Sequence, residues 1–346
     1  MQAQAAFLVK NGDAFSAFEW RDIPVPQAKA GEVLVEIEAF GLNFADVLAR
    51  NGLYREAPPL PAVLGYDMVG RVIGLGDGVD ASLLGQRVVA LTRFGAYASH
   101  IATPAVGCIP VPDNMAAGEA CALGTQFTTA YYSAYYLQNI AEGSHVLVHA
   151  AMGGVGTALI QLLLLKNCTV YATVGSDEKV NALRKEGIHA FNYNSQDYSA
   201  EIKSLLGKKY LDVSFNSIAG TTFKKDMQLL GADGRLVLYG FAERSGKRGG
   251  KWATLRLLWN MGIVLPIMTL ATSKSILGVN MLKIADQKPQ IIQHCIQQLV
   301  QLWSEKKIKP VVGGVYSKEK LGQAHYDLEH RKIRGKSIVL LRDGHL

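Results

Sequence analysis

The 346-residue chain has only four cysteines, Cys108, Cys121, Cys168 and Cys295, and no two of them form a C-x-x-C pair. That spacing excludes a zinc ribbon, a thioredoxin-type redox site and a disulfide framework, so the four read as small core residues. The eight histidines form no Cys/His cluster. The net charge of +7 comes without a dense basic tract or an RNA-binding signature, and nucleic acid is not an expected partner. The same charge suits an anionic cofactor or an acidic surface equally. Met1-Gln2-Ala3-Gln4 is neither a basic n-region nor the start of a long apolar run. No signal peptide is expected, and a cytoplasmic, reducing compartment is the default. The most apolar stretch, 257–271, is too short to span a bilayer and is interrupted by Asn260, Gly262 and Pro266. It reads first as core or subunit interface. The alternative is an apolar lid or peripheral membrane contact over 244–271, because Arg244, Lys247, Arg248, Lys251 and Arg256 precede it.

At 49% hydrophobic and 19% charged the chain belongs to the ordinary globular class, with room for about two domains. Up to about residue 122 it carries short β-rich segments such as Val33–Ala39 and Arg87–Leu91 between glycines and prolines, the pattern of an irregular β-domain. Beyond Glu119 a helix is followed by strictly alternating elements: strand 145–150, helix 156–166, strand 169–174, helix 177–187, strand 189–193, helix 197–206, strand 211–215, helix 221–230 and strand 235–240. Such alternation predicts a doubly wound parallel sheet. Ser275–Met281 supplies a last strand, and helix 287–305 with the elements after it returns to the first domain.

The strand 145–150 runs into Ala151-Met152-Gly153-Gly154-Val155-Gly156, a G-x-G-x-x-G turn with alanine in the first glycine position. A turn of this kind lets backbone approach a pyrophosphate and aims helix N-terminal N–H groups at it. The choice between NAD and NADP falls at the end of the next strand, where an acidic residue would bond the ribose 2′-OH. Here that strand ends in Gly175-Ser176, which leaves room for a 2′-phosphate, with the Ser176 hydroxyl as donor and Lys179 as countercharge. Tyr193 closes the same pocket. Asp177 argues the other way, but as N-cap of the following helix its carboxylate points at backbone N–H groups. The cofactor read from these residues is NADPH.

Gly41-Leu42-Asn43-Phe44-Ala45-Asp46, Gly52-Leu53-Tyr54, Leu64-Gly65-Tyr66-Asp67-Met68-Val69-Gly70, the turn at 150–156 and the terminal Gly335-Lys336 together give the chain a known look. It resembles the medium-chain dehydrogenase/reductase superfamily and, within it, the zinc-free quinone oxidoreductases. Leu258-Trp259-Asn260, Ile308-Lys309-Pro310 and the long apolar insert resemble the vesicle amine transport protein branch, the synaptic vesicle membrane protein homologues. The resemblance implies an α/β architecture: a GroES-like domain over 1–122 completed by 283–346, and a Rossmann domain over 123–282 that binds NADPH. It also implies a homodimer paired through Ser275–Met281. Zinc-dependent relatives place a cysteine and a Gly-His-Glu element where this chain has Asn43 and Gly65-Tyr66-Asp67, and a cysteine-rich lobe is missing, so no metal is expected.

Reduction without a metal then rests on hydride transfer to an electron-poor carbon, with positioned donors taking the developing oxyanion. Quinones and α,β-unsaturated carbonyls suit this, because conjugation already spreads the charge. The resemblance puts Asn43, Asp46 and Tyr54 at the nicotinamide end of the cleft. Asn43 contacts ribose or substrate oxygen, Tyr54 donates to the oxyanion, and Asp46 orients its neighbours or a proton-delivering water. Asn43 could instead cap a helix over 44–51 with Asp46 in its first turn. By the same resemblance Thr129, in helix 126–137, touches the cofactor and Lys336 reaches it from the C-terminal segment. Asn216, Tyr239 and Phe241 end the fourth and fifth strands and flank the nicotinamide. His149 reads as a packed strand-end residue. Two other functions compete: a non-catalytic cofactor-binding protein acting through 244–271, and an enoyl-thioester reductase, for whose phosphopantetheine arm no basic channel is evident.

Overall fold

The computed structural model describes residues 2–240, 259–262 and 264–342. The chain divides into two compact units, one of Met1–Thr128, Gly153–Ala158 and Met281–Leu346, the other of Thr129–Met152 and Leu159–Asn280.

The first unit is organised by the strand Glu32–Leu42. Val33, Val35, Ile37 and Ala39 are buried while Leu34, Glu36 and Glu38 are only partly so, the period of two that places alternate side chains on one face. From Ala39 to Leu42 both faces are covered. The sheet order is Val312–Ser317, Lys336–Leu340, Glu32–Leu42, Asp67–Leu75, Arg87–Leu91 and Cys108–Pro110, with His100–Pro104 also paired to Glu32–Leu42. Val312–Ser317 pairs parallel with Lys336–Leu340, and the other pairs are antiparallel. The register sets Ser337 opposite Leu42, and Gly41 opposite Asp67. A second, three-stranded sheet holds Gln2–Leu8 between Phe18–Pro24 and Ala62–Val63. This is the irregular β-rich, GroES-like architecture read from the sequence.

The expected helix 126–137 belongs to a longer, uneven one. Ala117–Ala122 continues through widened turns at Leu123–Phe127 and Tyr132–Tyr136 on either side of Thr128–Tyr131. Hydroxyls explain the widening: Thr128 Oγ1 donates to Leu123 O at 2.6 Å and Ser133 Oγ to Thr129 O at 2.7 Å, competing for carbonyls that helix N–H groups would take.

In the second unit six parallel strands lie in the order His189–Asn192, Thr169–Val174, His145–Val148, Leu211–Asn216, Leu230–Leu238, Ser275–Gly278. Counted along the chain this is 3-2-1-4-5-6, the Rossmann order. Val146-Leu147-Val148 and Val170–Val174 are buried throughout, as strands covered by helices on both faces must be. The first strand stops at Val148, short of the expected 150, because Ala150 turns into the left-handed region at φ 49°. The following helix, Gly154–Leu164, accordingly begins before residue 156. Ser275–Gly278 is an edge strand, shorter than expected because helix Met281–Gln287 follows at once.

Candidate active site

Strand Glu32–Leu42 delivers Asn43 to the N-cap of helix Phe44–Arg50. Asn43 N donates to Asp46 Oδ2 at 2.8 Å and Asp46 N to the Asn43 carbonyl at 2.9 Å, which satisfies donors a helix start leaves open. Asp46 Oδ1 accepts Gly65 N at 3.2 Å. The Asn43 amide therefore faces the sheet: Nδ2 donates to Asp67 Oδ2 at 2.8 Å and Oδ1 accepts Lys336 Nζ at 3.2 Å. Lys336 Nζ donates to Asp67 Oδ2 at 2.7 Å, and Asp46, Asp67 and Lys336 are all fully buried. Gly41 permits this pair, for a Cβ there would stand 1.9 Å from Asp67 Oδ1 and 2.2 Å from Lys336 Cε.

Two carboxyls and one ammonium thus share a fully buried space. Burial pushes the Asp46 carboxyl up to about 7 and the Asp67 charge adds to this, against the pull of the Asn43 and Gly65 N–H groups and of Lys336. Tyr66, buried, meets the half-buried Tyr54 edge-on with ring centroids 6.2 Å apart. Burial pushes both phenols above their ordinary range, so each stays protonated and able to donate. Nearby in the same unit Gly153 bridges to Gly335, beside Lys336. A Cβ on Gly154 would lie 2.0 Å from the amide of the buried Gln126.

In the second unit, Gly175 ends strand Thr169–Val174 under the Tyr193 hydroxyl, which a Cβ at Gly175 would approach to 2.7 Å. Ser176 is extended, at φ −154° and ψ 156°, and caps helix Asp177–Lys185 by accepting Lys179 N at 3.4 Å. The expectation that Asp177 is the cap is therefore corrected. Asp177 is already helical, and its Oδ1 accepts Asn192 Nδ2 at 2.7 Å.

Family models described as alcohol dehydrogenase GroES-like domain and zinc-binding dehydrogenase match residues 29–113 and 154–301. The chain is 33% identical over 318 residues to the Homo sapiens synaptic vesicle membrane protein VAT-1 homolog, covering 91% of this chain and 80% of that protein. It is 31% identical over 324 residues to the Rattus norvegicus quinone oxidoreductase, covering 92% of each. The chain belongs to the medium-chain dehydrogenase/reductase superfamily. Within that superfamily it is of the quinone oxidoreductase type, on the VAT-1 branch. A crystal structure of Escherichia coli quinone oxidoreductase complexed with NADPH matches it with a TM-score of 0.83 at 26% identity, over 97% of this chain and 99% of that one.

One of those family descriptions names zinc, and Asn43, Tyr66 and Asp67 of this quinone oxidoreductase-type chain do not fit the metal. Asn43, Tyr66 and Asp67 offer neither thiolate nor imidazole, and Asp67 Oδ2 already takes Lys336 Nζ and Asn43 Nδ2. Among the described residues no group of three or more His, Cys, Asp or Glu side chains is placed to hold a metal ion.

Two residues expected at the cofactor are bonded within the protein. Lys336, expected to reach the cofactor from the C-terminal segment, is buried and bonds Asp67 and Asn43 inside the sheet. Asn216 is buried with its whole amide engaged: Oδ1 accepts Ile218 N and Ala219 N, and Nδ2 donates to Thr222 Oγ1 and Asp226 Oδ2. Nothing of that amide remains for a ligand. Thr129 is buried in the segment Thr128–Tyr131, and Tyr239 N donates to Asn216 O at 3.2 Å. Phe241 lies outside the described residues, as do 244–258 and Ile263 of the apolar stretch. Of the rest, Trp259 is 82% and Leu270 75% exposed, so these two are surface, not core. No helix among the described residues is long and apolar enough to cross a membrane. Asp67, Gln126 and Asp226 were not anticipated as site residues; Asp67 alone carried a signal, as the acid of Gly65-Tyr66-Asp67.

Proposed function

We propose that this chain is a reductase that takes hydride from NADPH and delivers it to a quinone or an α,β-unsaturated carbonyl, with no bound metal. The observation that carries the reading is the Asn43–Asp67–Lys336 cluster. At positions where zinc-dependent relatives keep metal ligands, this chain holds its own ammonium, and the Asn43 amide is locked in place by it. Bound NADPH supplies the hydride. Tyr54, kept protonated by burial, donates to the substrate oxygen as negative charge builds there. Asp46 orients the Asn43 and Gly65 backbone and, fully buried, acts through them. Gly175, Ser176, Lys179 and Tyr193 suit a 2′-phosphate, with Asn192 holding the competing Asp177 carboxylate. The residues Ala151, Gly153, Gly154, Val155 and Gly156 suit the pyrophosphate. The edge strand Ser275–Gly278 suits pairing with a second copy.

The experiment is loss of reduced-nicotinamide absorbance with a panel of quinones, enones, enals and enoyl thioesters. Saturable turnover with NADPH, unchanged by a chelator, is expected. Tight NADPH binding with no turnover across the panel would leave a non-catalytic binding protein instead. Equal affinity for NADPH and NADH would refute the reading of Gly175-Ser176.

A further inference from the structure

We propose that Asp226 is a positioning residue that sets dinucleotide affinity from beneath the turn at 149–151. The inference rests on the dinucleotide-binding part of the proposed function and on neither its substrate nor its choice of NADPH. The first and fourth strands, His145–Val148 and Leu211–Asn216, are neighbours where the strand order reverses, the place where open α/β sheets bind ligands. Each is followed by a non-glycine residue in the left-handed region, Ala150 at φ 49° and Ala219 at φ 60°. Such a conformation persists only where the surroundings over-determine it.

The surroundings here converge on one carboxylate. Asp226, fully buried in helix Thr221–Leu229, accepts from Tyr198 Oη at 3.0 Å, Ser214 Oγ at 2.7 Å and Asn216 Nδ2 at 2.7 Å, and His149 Nε2 lies 2.9 Å from its Oδ2. The other His149 nitrogen, Nδ1, lies 2.8 Å from Thr173 Oγ1 on the second strand. Backbone bonds complete the clamp, from His149 N to Phe215 O at 3.0 Å and from Ala151 N to Thr173 O at 3.2 Å. Ala150 is therefore held between two anchored neighbours. Through Asn216, whose Oδ1 holds Ile218 N and Ala219 N, the same carboxylate also fixes the loop after the fourth strand. Tyr198 reaches Asp226 from another helix, Tyr198–Leu206, and its ring meets the His149 ring edge-on at 5.3 Å, so loss of the hydroxyl alone removes one bond to the carboxylate and leaves the packing on His149 in place.

The test compares D226N, H149A and Y198F in the full chain, by fluorescence titration with NADPH and with NADH and by thermal melting. D226N and H149A should weaken binding of both dinucleotides by about tenfold, the scale of a lost left-handed clamp. Y198F should lower the melting temperature yet bind within about twofold of wild type. Adding A150G to H149A should recover affinity, because glycine adopts the left-handed region without cost. If D226N does not fold, H149A and its A150G rescue decide the matter. Wild type that binds neither dinucleotide overturns the proposed function and this inference together. Wild type that binds, with H149A and any folded D226N within twofold of it, overturns this inference alone. So does an affinity loss that follows melting temperature across all variants, Y198F included.

Discussion

Replacing Asp46 by asparagine tests the electrostatics of the buried cluster most directly. Burial raises the Asp46 carboxyl from 3.8 to about 7. Between those values the folded chain binds a proton that the unfolded chain has released, so wild-type stability falls as pH rises across the window and levels off above it. The full span corresponds to about 4 kcal/mol, at about 1.36 kcal/mol per pH unit. Asp46 has no exposure to solvent that would screen the effect. Asparagine removes the titration and keeps an oxygen for the Asn43 or the Gly65 N–H, so its other costs do not vary with pH. Measured by urea unfolding, D46N should gain about 3 kcal/mol on wild type between about pH 5 and about pH 8. A difference between the two proteins that stays flat over that range would refute the assignment of a raised carboxyl at this position, whatever the absolute stabilities.

Other substitutions probe the same framework. K336M strands the buried Asp67 carboxylate and should cost about 3–5 kcal/mol in urea unfolding, with part of the loss recovered in the double variant K336M/D67N. G41A drives a methyl into the Asp67–Lys336 pair and should lower stability by about 3 kcal/mol, visible as a shift in the unfolding midpoint. S176A/K179A should weaken NADPH by about 10–100-fold in a binding titration and leave NADH nearly unchanged, the scale of hydrogen bonds to a charged group. Equal loss for both cofactors would remove Ser176 and Lys179 from a 2′-phosphate pocket.

Much of the second unit was legible in the linear chain because short apolar cores such as Val146-Leu147-Val148 and Leu236-Val237-Leu238 alternate with helix-length segments, with the turn after Val148 as the plainest case. Ser176 against Asp177 as cap was not legible, since both residue types cap helices and only the backbone angles at 176 separate them. In the first unit, Asn43, Asp46 and Tyr54 stood out through the company they keep in family motifs. The partner of Lys336 did not, because Asp67 lies far away in sequence and meets it only through strand register and the missing side chain of Gly41. Asp226 gave no sign at all. Preceded by Lys224 and Lys225 it looks like one more polar residue on an exposed helix face, and its partners come from the fourth strand, the turn after the first strand and a second helix.

The placement of Lys336–Leu340 beside Glu32–Leu42 also bears on how the molecule is made. A ribosome synthesising this chain releases Asp67 long before it releases the lysine that neutralises it, so the nascent first unit carries an unpaired acid at the place where its interior should close. Closure of the buried cluster consequently waits on synthesis of the strand that carries Lys336. A product that stops before Lys336 lacks both the ammonium and the strand that carries it, which gives cellular quality control a folding defect by which to recognise it.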